Sequence, residues 1–291
     1  LSIDIDIIVP KSVKIAEINE ILKNIVRTSS FTRYEEQERH LSQIPKAHFK
    51  LFYESPFDQS EVYVLLDVLF EENPYSRLDS TDIVCPFIDT IPPNVTVKVP
   101  SIADILGDKL TAFAPNTTGI LYDKEKEMEI IKQLFDIESL FDQLSTTNGV
   151  KDTFIRCAEQ ELNYRQLTEM NYENVLDDIF KTAIIIGGRG SFDKETFLKL
   201  ENGIRRIKSH IINRNYIVEE AVVSASKAAY LSMLLKHQQD EIEKYHPKET
   251  LPELEGVPLF KKMAKIKNFS PEAYYYFAKA QELIRESEKT K

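Results

Sequence analysis

The chain has 291 residues, 42% of them hydrophobic, enough for one large domain or two ordinary ones with a real core. Its 47 acidic against 37 basic side chains leave a formal charge of −10, which excludes a uniformly basic nucleic-acid-binding body and confines any RNA contact to local patches. Two cysteines, Cys85 and Cys157, exclude a disulfide framework and a four-thiolate zinc site; with no signal-peptide pattern and no apolar run near the roughly 18 residues of a membrane span, a soluble cytoplasmic protein is expected.

The sequence opens on Leu1 without a methionine, inside the apolar run Leu1 to Pro10, so a preceding N-terminal segment is expected. Up to about residue 100, β-branched and aromatic runs separated by prolines predict strands over 3–9, 46–54, 61–70, 82–88 and 94–99. The exception is 12–27, where Val13, Ile15, Ile18, Ile21, Leu22 and Ile25 recur at helical spacing. From Ser101 the period changes to 3.6: Ser101 is an N-cap and Pro115 closes the helix it starts. Further helices are predicted over 123–144, 151–167, 172–186, 193–213, 216–245 and 271–288. The expected class is α+β, a small mixed sheet with helices over residues 1–118 followed by a mainly helical domain over 119–291.

Four positions along this order carry chemistry. Asp4 and Asp6 are two apart in a strand, so both carboxylates project from one face, a pair suited to hard Mg²⁺ and to phosphate chemistry; a solvated acidic edge is the plain alternative. Asp67 lies in the middle of Glu61–Phe70, a strand apolar on both faces. A carboxylate there must be paired, hydrogen-bonded or metal-bound. A neighbouring first strand would make it a third ligand, and Lys46, Lys50 or His48 could instead pair with it. Lys109 is predicted to point inward beside Ile105, Leu106 and Phe113, with Asp104 and Asp108 on the other side, and an inward ammonium suits a triphosphate. Lys132 and Asp136, four apart on the next helix, read by spacing alone as an exposed pair.

Taken together, Ser2-Ile3-Asp4-Ile5-Asp6, the strand with Asp67, Asp104-Ile105-Leu106-Gly107-Asp108-Lys109-Leu110-Thr111-Ala112, and Lys132-Gln133-Leu134-Phe135-Asp136-Ile137 resemble the ordered motifs of the AbiEii/AbiGii toxin-type nucleotidyltransferases, members of the polymerase-β-like superfamily. The resemblance is most specific over 1–144. It implies a nucleotidyltransferase palm in which Asp4, Asp6 and Asp67 bind Mg²⁺, Asp67 helps deprotonate the attacking hydroxyl, Lys109 contacts the NTP, and Asp136 supports catalysis. It further implies an acceptor such as tRNA or another RNA, the role of a toxin in a toxin–antitoxin or phage-defence system, and a cognate antitoxin. Two departures stand out: Lys132-Gln133 replaces the common Arg-Asp, and the sequence begins too late to contain the Gly-rich or Gly-Ser turn that the family places before the Asp-x-Asp strand.

Other readings of the same residues are a Mg²⁺-dependent nuclease or phosphohydrolase and an inactive nucleotidyltransferase-like binding module. The Gly187-Gly188-Arg189-Gly190 stretch lacks a P-loop ending and reads as an interhelical loop. The five histidines show no metal spacing. For RNA contact the basic residues are Arg205, Arg206, Lys208, His210 and Arg214, then Lys261, Lys262, Lys265 and Lys267. Tyr274-Tyr275-Tyr276-Phe277 fits core packing better than base stacking.

Overall fold

A computed structural model describes residues 4–37, 44–84, 89–122, 125–212, 214–248, 250–252 and 262–289. The chain divides by packing into two units, Leu1–Pro74 and Tyr75–Lys291, so the packing division comes well before the 118/119 boundary read from periodicity. The class is the mixed one expected, with a small sheet followed by a helical region.

The first unit contains β1 (Asp4–Val9), α1 (Ile15–Thr28), β2 (Arg33–Glu36), β3 (Lys46–Glu54) and β4 (Glu61–Phe70). The four strands form one sheet in the order β1-β4-β3-β2, with β1 parallel to β4 and the other pairs antiparallel. Alternation of side chains gives the sheet two unlike faces. Ile7 and Val9 of β1, Leu66 and Val68 of β4, and Ala47, Phe49 and Leu51 of β3 pack with Ile18 and Leu22 of α1. Glu17 accepts the backbone N–H of Lys14 at 2.8 Å and so closes the first turn of α1. The other face carries Asp4, Asp6, Asp67, Lys46, His48 and Lys50. Of the apolar residues expected behind the Asp-x-Asp pair, Ile7 joins this core, Ile5 remains 52% exposed, and Ile3 lies outside the described residues.

The second unit begins with a two-stranded antiparallel ribbon, β5 (Leu78–Asp82) and β6 (Thr96–Pro100). A strand was expected at 82–88; the described one lies earlier, and residues 85–88, Cys85 among them, fall outside the described residues. Among the described residues seven long helices follow: α2 (Ile102–Ala112), α3 (Glu127–Phe141), α4 (Val150–Tyr164), α5 (Tyr172–Gly187), α6 (Lys194–Ile207), α7 (Val218–Lys236) and α8 (Pro271–Lys289). α7 is the central helix, with buried residues on every side.

Three predicted helices are too long. α3 runs over Glu127–Phe141 and not 123–144. α6 stops at Ile207 and passes into a short 3₁₀ turn. α7 stops at Lys236 and not near residue 245, because Gln238 adopts a positive φ of 56° and turns the chain. Residues beyond it run alongside 145–147, where Thr147 N–H donates to Asp240 O at 2.8 Å and Ile242 N–H to Ser145 O at 3.0 Å.

α2 approaches α4 closely at Gly107. A Cβ there would lie 2.5 Å from Val150 O and 2.9 Å from Phe154 N, both backbone atoms. Gly107→Ala is expected to destabilise the protein by about 1–3 kcal/mol through overpacking, despite the roughly 1 kcal/mol that alanine adds to helix propensity. Urea unfolding of the full chain checks this; an unchanged midpoint would show that the two helices separate without cost.

Candidate active site

The site face of the first unit is built by strand register. β1 and β4 run parallel with Asp6 opposite Asp67, so these two carboxylates are direct cross-strand neighbours; Asp4 is opposite Leu65, one pleat along on the same face. Adjacent strands lie about 4.8 Å apart, which gathers Asp6 and Asp67 more tightly than the sequence spacing of Asp4 and Asp6 does. The first strand thus lies next to the strand of Asp67, the condition under which Asp67 joins the face of Asp4 and Asp6.

On its other side Asp67 faces His48 of β3. His48 Nδ1 lies 2.7 Å from Asp67 Oδ1, with the two side chains 13% and 28% exposed. Among Lys46, Lys50 and His48, the three partners expected, His48 is the one engaged. Lys50 instead places its ammonium 4.3 Å from the centre of the Tyr63 ring. Asp67 thus has a protein partner, and its place in an apolar strand does not by itself require a cation.

The donor chemistry nonetheless fits Mg²⁺. This ion takes oxygen ligands, keeps several waters and commonly relies on one or two carboxylates together with substrate phosphates. Asp6 and Asp67 supply such a pair. Among the described residues no group of three or more His, Cys, Asp or Glu side chains converges on one point, so an ion held here would complete its shell from water and phosphate oxygens.

In the second unit, Lys109 of α2 lies 3.5 Å from Asp136 Oδ2 of α3, the side chains being 30% and 15% exposed. Asp136 is therefore not part of an exposed pair with Lys132: α2 packs on α3 and presents Lys109 to it. The expected orientation of α2 also needs correction, because Asp104, placed on the outer side by helical stepping, is only 1% exposed. α2 is covered by both α3 and α4, so its buried arc is wider than one apolar stripe.

Asp104 is accommodated by donors. Ser76 N–H donates to Oδ1 at 2.7 Å, Arg77 N–H to Oδ2 at 3.2 Å and Ser101 Oγ to Oδ2 at 2.5 Å, and Thr153 adds a fourth bond. Burial opposes its charge, but the bonds from Ser101, Thr153, Ser76 and Arg77 outweigh burial and hold the carboxyl below its ordinary value near 3.8. The stability it contributes is accordingly present above about pH 4 and lost as pH falls through the depressed value. Asp104→Asn is expected to cost about 2 kcal/mol, with the wild-type advantage in thermal midpoint constant from pH 7 to 5 and shrinking below pH 4. An equal advantage at pH 3 would contradict it.

The family model described as the nucleotidyl transferase AbiEii toxin of type IV toxin–antitoxin systems matches residues 1–236. The chain belongs to the AbiEii family. No curated protein and no solved structure matches it. The match extends from β1 through α7, so in this AbiEii member it takes in both the carboxylate face and the Lys109–Asp136 pair. Family membership supports a toxin of nucleotidyltransferase type and a toxin–antitoxin setting. No described helix is long and apolar enough to cross a membrane.

The helical unit also holds what spacing did not disclose. Glu138 and Lys227 are 4% and 3% exposed. Arg214 grips Glu138 with two bonds of 3.2 and 2.5 Å, and Ser224 Oγ donates to Glu138 Oε2 at 2.7 Å. Lys227 reaches Asp142 at 2.8 Å and Glu272 at 3.0 Å. The signal available in sequence was Lys227 within the otherwise uncharged run from Ala221 to Leu235. Arg214, counted among the basic residues for RNA contact, is committed to Glu138. Arg205, Arg206, Lys208 and His210 are exposed, as are Lys262, Lys265 and Lys267, while Lys261 lies outside the described residues. Tyr274, Tyr275, Tyr276 and Phe277 are all at most 5% exposed, and Tyr276 stacks on Tyr230 at 5.8 Å; this run is core.

Proposed function

We propose that the chain transfers a nucleotide from an NTP to an acceptor hydroxyl of an RNA, tRNA being the first to test, with release of pyrophosphate, and that this is its toxic activity in a type IV toxin–antitoxin pair whose other member is the cognate antitoxin. The observation that carries the reading is the register that sets Asp6 beside Asp67, in a member of a nucleotidyltransferase family. A cytoplasmic setting, where NTP and RNA are both at hand, belongs to the same reading.

The hydroxyl oxygen bonds to the α-phosphorus, the bond to the bridging oxygen breaks, pyrophosphate departs, and the hydroxyl proton passes to Asp67. Asp6 and Asp67, with Asp4 on the same face, would hold Mg²⁺ beside the reacting phosphates. When bound, Mg²⁺ supplies charge neutralisation of the triphosphate and acidifies the hydroxyl. Lys109, which the family resemblance assigns to the triphosphate, has Asp136 3.5 Å from its ammonium. The exposed basic residues of α6 and of the segment from Lys262 to Lys267 offer charge to an RNA backbone.

Incubating the full chain with Mg²⁺, each labelled NTP in turn and total tRNA tests this. Label is expected in tRNA with at least one NTP, and none when the divalent ion is chelated. Shortened RNA or free nucleoside monophosphate without incorporation would identify a nuclease or phosphohydrolase instead, and no product with any NTP would identify an inactive binding module.

A further inference from the structure

We propose that His48 is a positioning residue for Asp67, fixing the direction in which that carboxylate offers its second oxygen to a divalent cation. The proposal rests on the reading of Asp67 as a carboxylate of the transfer site. Three observations carry it.

First, the pairing is set by backbone register. His48 and Asp67 are directly opposite in the antiparallel β3–β4 pair, and Asp67 is directly opposite Asp6 in the parallel β4–β1 pair. Asp67 therefore stands between an imidazole on one side and the second candidate ligand on the other, all three at one level of the sheet and on the face away from α1.

Second, the contact engages only one oxygen. His48 Nδ1 is 2.7 Å from Asp67 Oδ1. With the carboxylate ionised, Nδ1 carries the proton and donates. A carboxylate held this way loses the bond if it turns about its Cβ–Cγ axis, so Oδ2 keeps one direction. This is the geometry in which an outer partner orients a ligand and raises its affinity.

Third, the neighbouring cations do not substitute for it. Lys46 and Lys50 flank His48 at two residues on the same face, yet neither pairs with Asp67, and the Lys50 ammonium lies over Tyr63. A flexible ammonium could compensate the charge of Asp67 without fixing its orientation. The planar ring, 13% exposed, turns about only two side-chain torsions, so it fixes that orientation.

A purely structural pair and a positioning pair differ in what they predict for metal binding by the folded protein. The test uses the full chain with Mn²⁺ as a spectroscopic substitute for Mg²⁺, its free concentration followed by electron paramagnetic resonance without nucleotide, for the wild type and for His48→Leu, His48→Asn, His48→Gln and Asp6→Asn. Asparagine sets its amide nitrogen where Nδ1 was, whereas leucine offers no donor and glutamine carries its amide one carbon further out. We expect wild-type binding that Asp6→Asn abolishes, about a tenfold or greater loss of affinity in His48→Leu and His48→Gln, and recovery to within about threefold of wild type in His48→Asn, circular dichroism reporting the same fold throughout. If wild type binds, Asp6→Asn does not, and the folded leucine and glutamine variants bind like wild type, the positioning role is overturned while the carboxylate site stands. If Asp6→Asn leaves Mn²⁺ binding unchanged, the carboxylate site itself is wrong and the proposal falls with it. Should His48→Leu fail to fold, the asparagine–glutamine comparison decides in the same way.

Discussion

Asp6→Asn and Asp67→Asn are each expected to lower nucleotide transfer by about 10³-fold or more while leaving the protein as stable as the wild type or more so. The first figure follows from removing several kcal/mol of charge stabilisation at the reacting phosphates, where each 1.36 kcal/mol or so is tenfold in rate. The second follows from register. Like charges directly opposite on adjacent strands are destabilising, by roughly 0.2–1 kcal/mol, and Asp6 faces Asp67 in this way. Neutralising either relieves that repulsion, and the amide introduced by Asp67→Asn would still present an oxygen to His48. Single-turnover transfer and urea unfolding, measured on the same preparations, separate the two effects. A loss of transfer that tracks a loss of stability would mean that the carboxylates hold the strands together, and transfer within tenfold of wild type would remove them from the chemistry.

How far these features were legible differs with the physical signal. β1 and β3 alternate apolar and polar residues, β4 is an apolar run broken by Asp67, and all three were expected close to their observed bounds; that β1 would neighbour β4 stood only as a condition. β2 was not foreseen, because Arg33-Tyr34-Glu35-Glu36 has no apolar alternation; it is held by pairing with β3 and by Arg33, which lies over the Phe52 ring and bonds Glu61. α1 was expected over 12–27 and is found at Ile15–Thr28, since six apolar residues at helical spacing leave little choice. The misplacements of Asp104 and Asp136 share one cause. Stepping around a single helix assumes one buried face, whereas α2 meets α3 and α4, and this is why Asp104 is buried and why Asp136 meets Lys109. Spacing within one segment also cannot show a partner 19 residues away in sequence, so the set of three candidate partners for Asp67 was legible and the choice of His48 was not.

The largest stability effect expected in the helical unit comes from Glu138. Its carboxylate is almost fully enclosed, and three groups converge on it: the Arg214 guanidinium, the Ser224 hydroxyl, and the Lys227 ammonium at 3.7 Å. Glu138→Ala would leave Arg214 without its bidentate partner, deprive Ser224 of its acceptor and remove one of the three acids around buried Lys227. Breaking such a buried arrangement by deleting one partner costs about 3–5 kcal/mol. Lys227→Met should cost less, because its other carboxylates, Asp142 and Glu272, are 50% and 37% exposed and regain water, while Glu138 keeps Arg214 and Ser224. The same asymmetry has a pH signature. Burial lowers the affinity of Lys227 for its proton, but the bond to Asp142 and the charges of Glu272, Asp142 and Glu138 outweigh burial and raise it above 10.5. The contribution of Lys227 to stability is therefore complete below that pH and lost as pH rises through the higher folded value. In urea unfolding, Glu138→Ala is expected to show the larger loss at pH 7, and the deficit of Lys227→Met relative to wild type is expected to stay constant to about pH 10 and to narrow above it. A Lys227→Met deficit exceeding that of Glu138→Ala would place the centre of this network on the lysine and not on the glutamate.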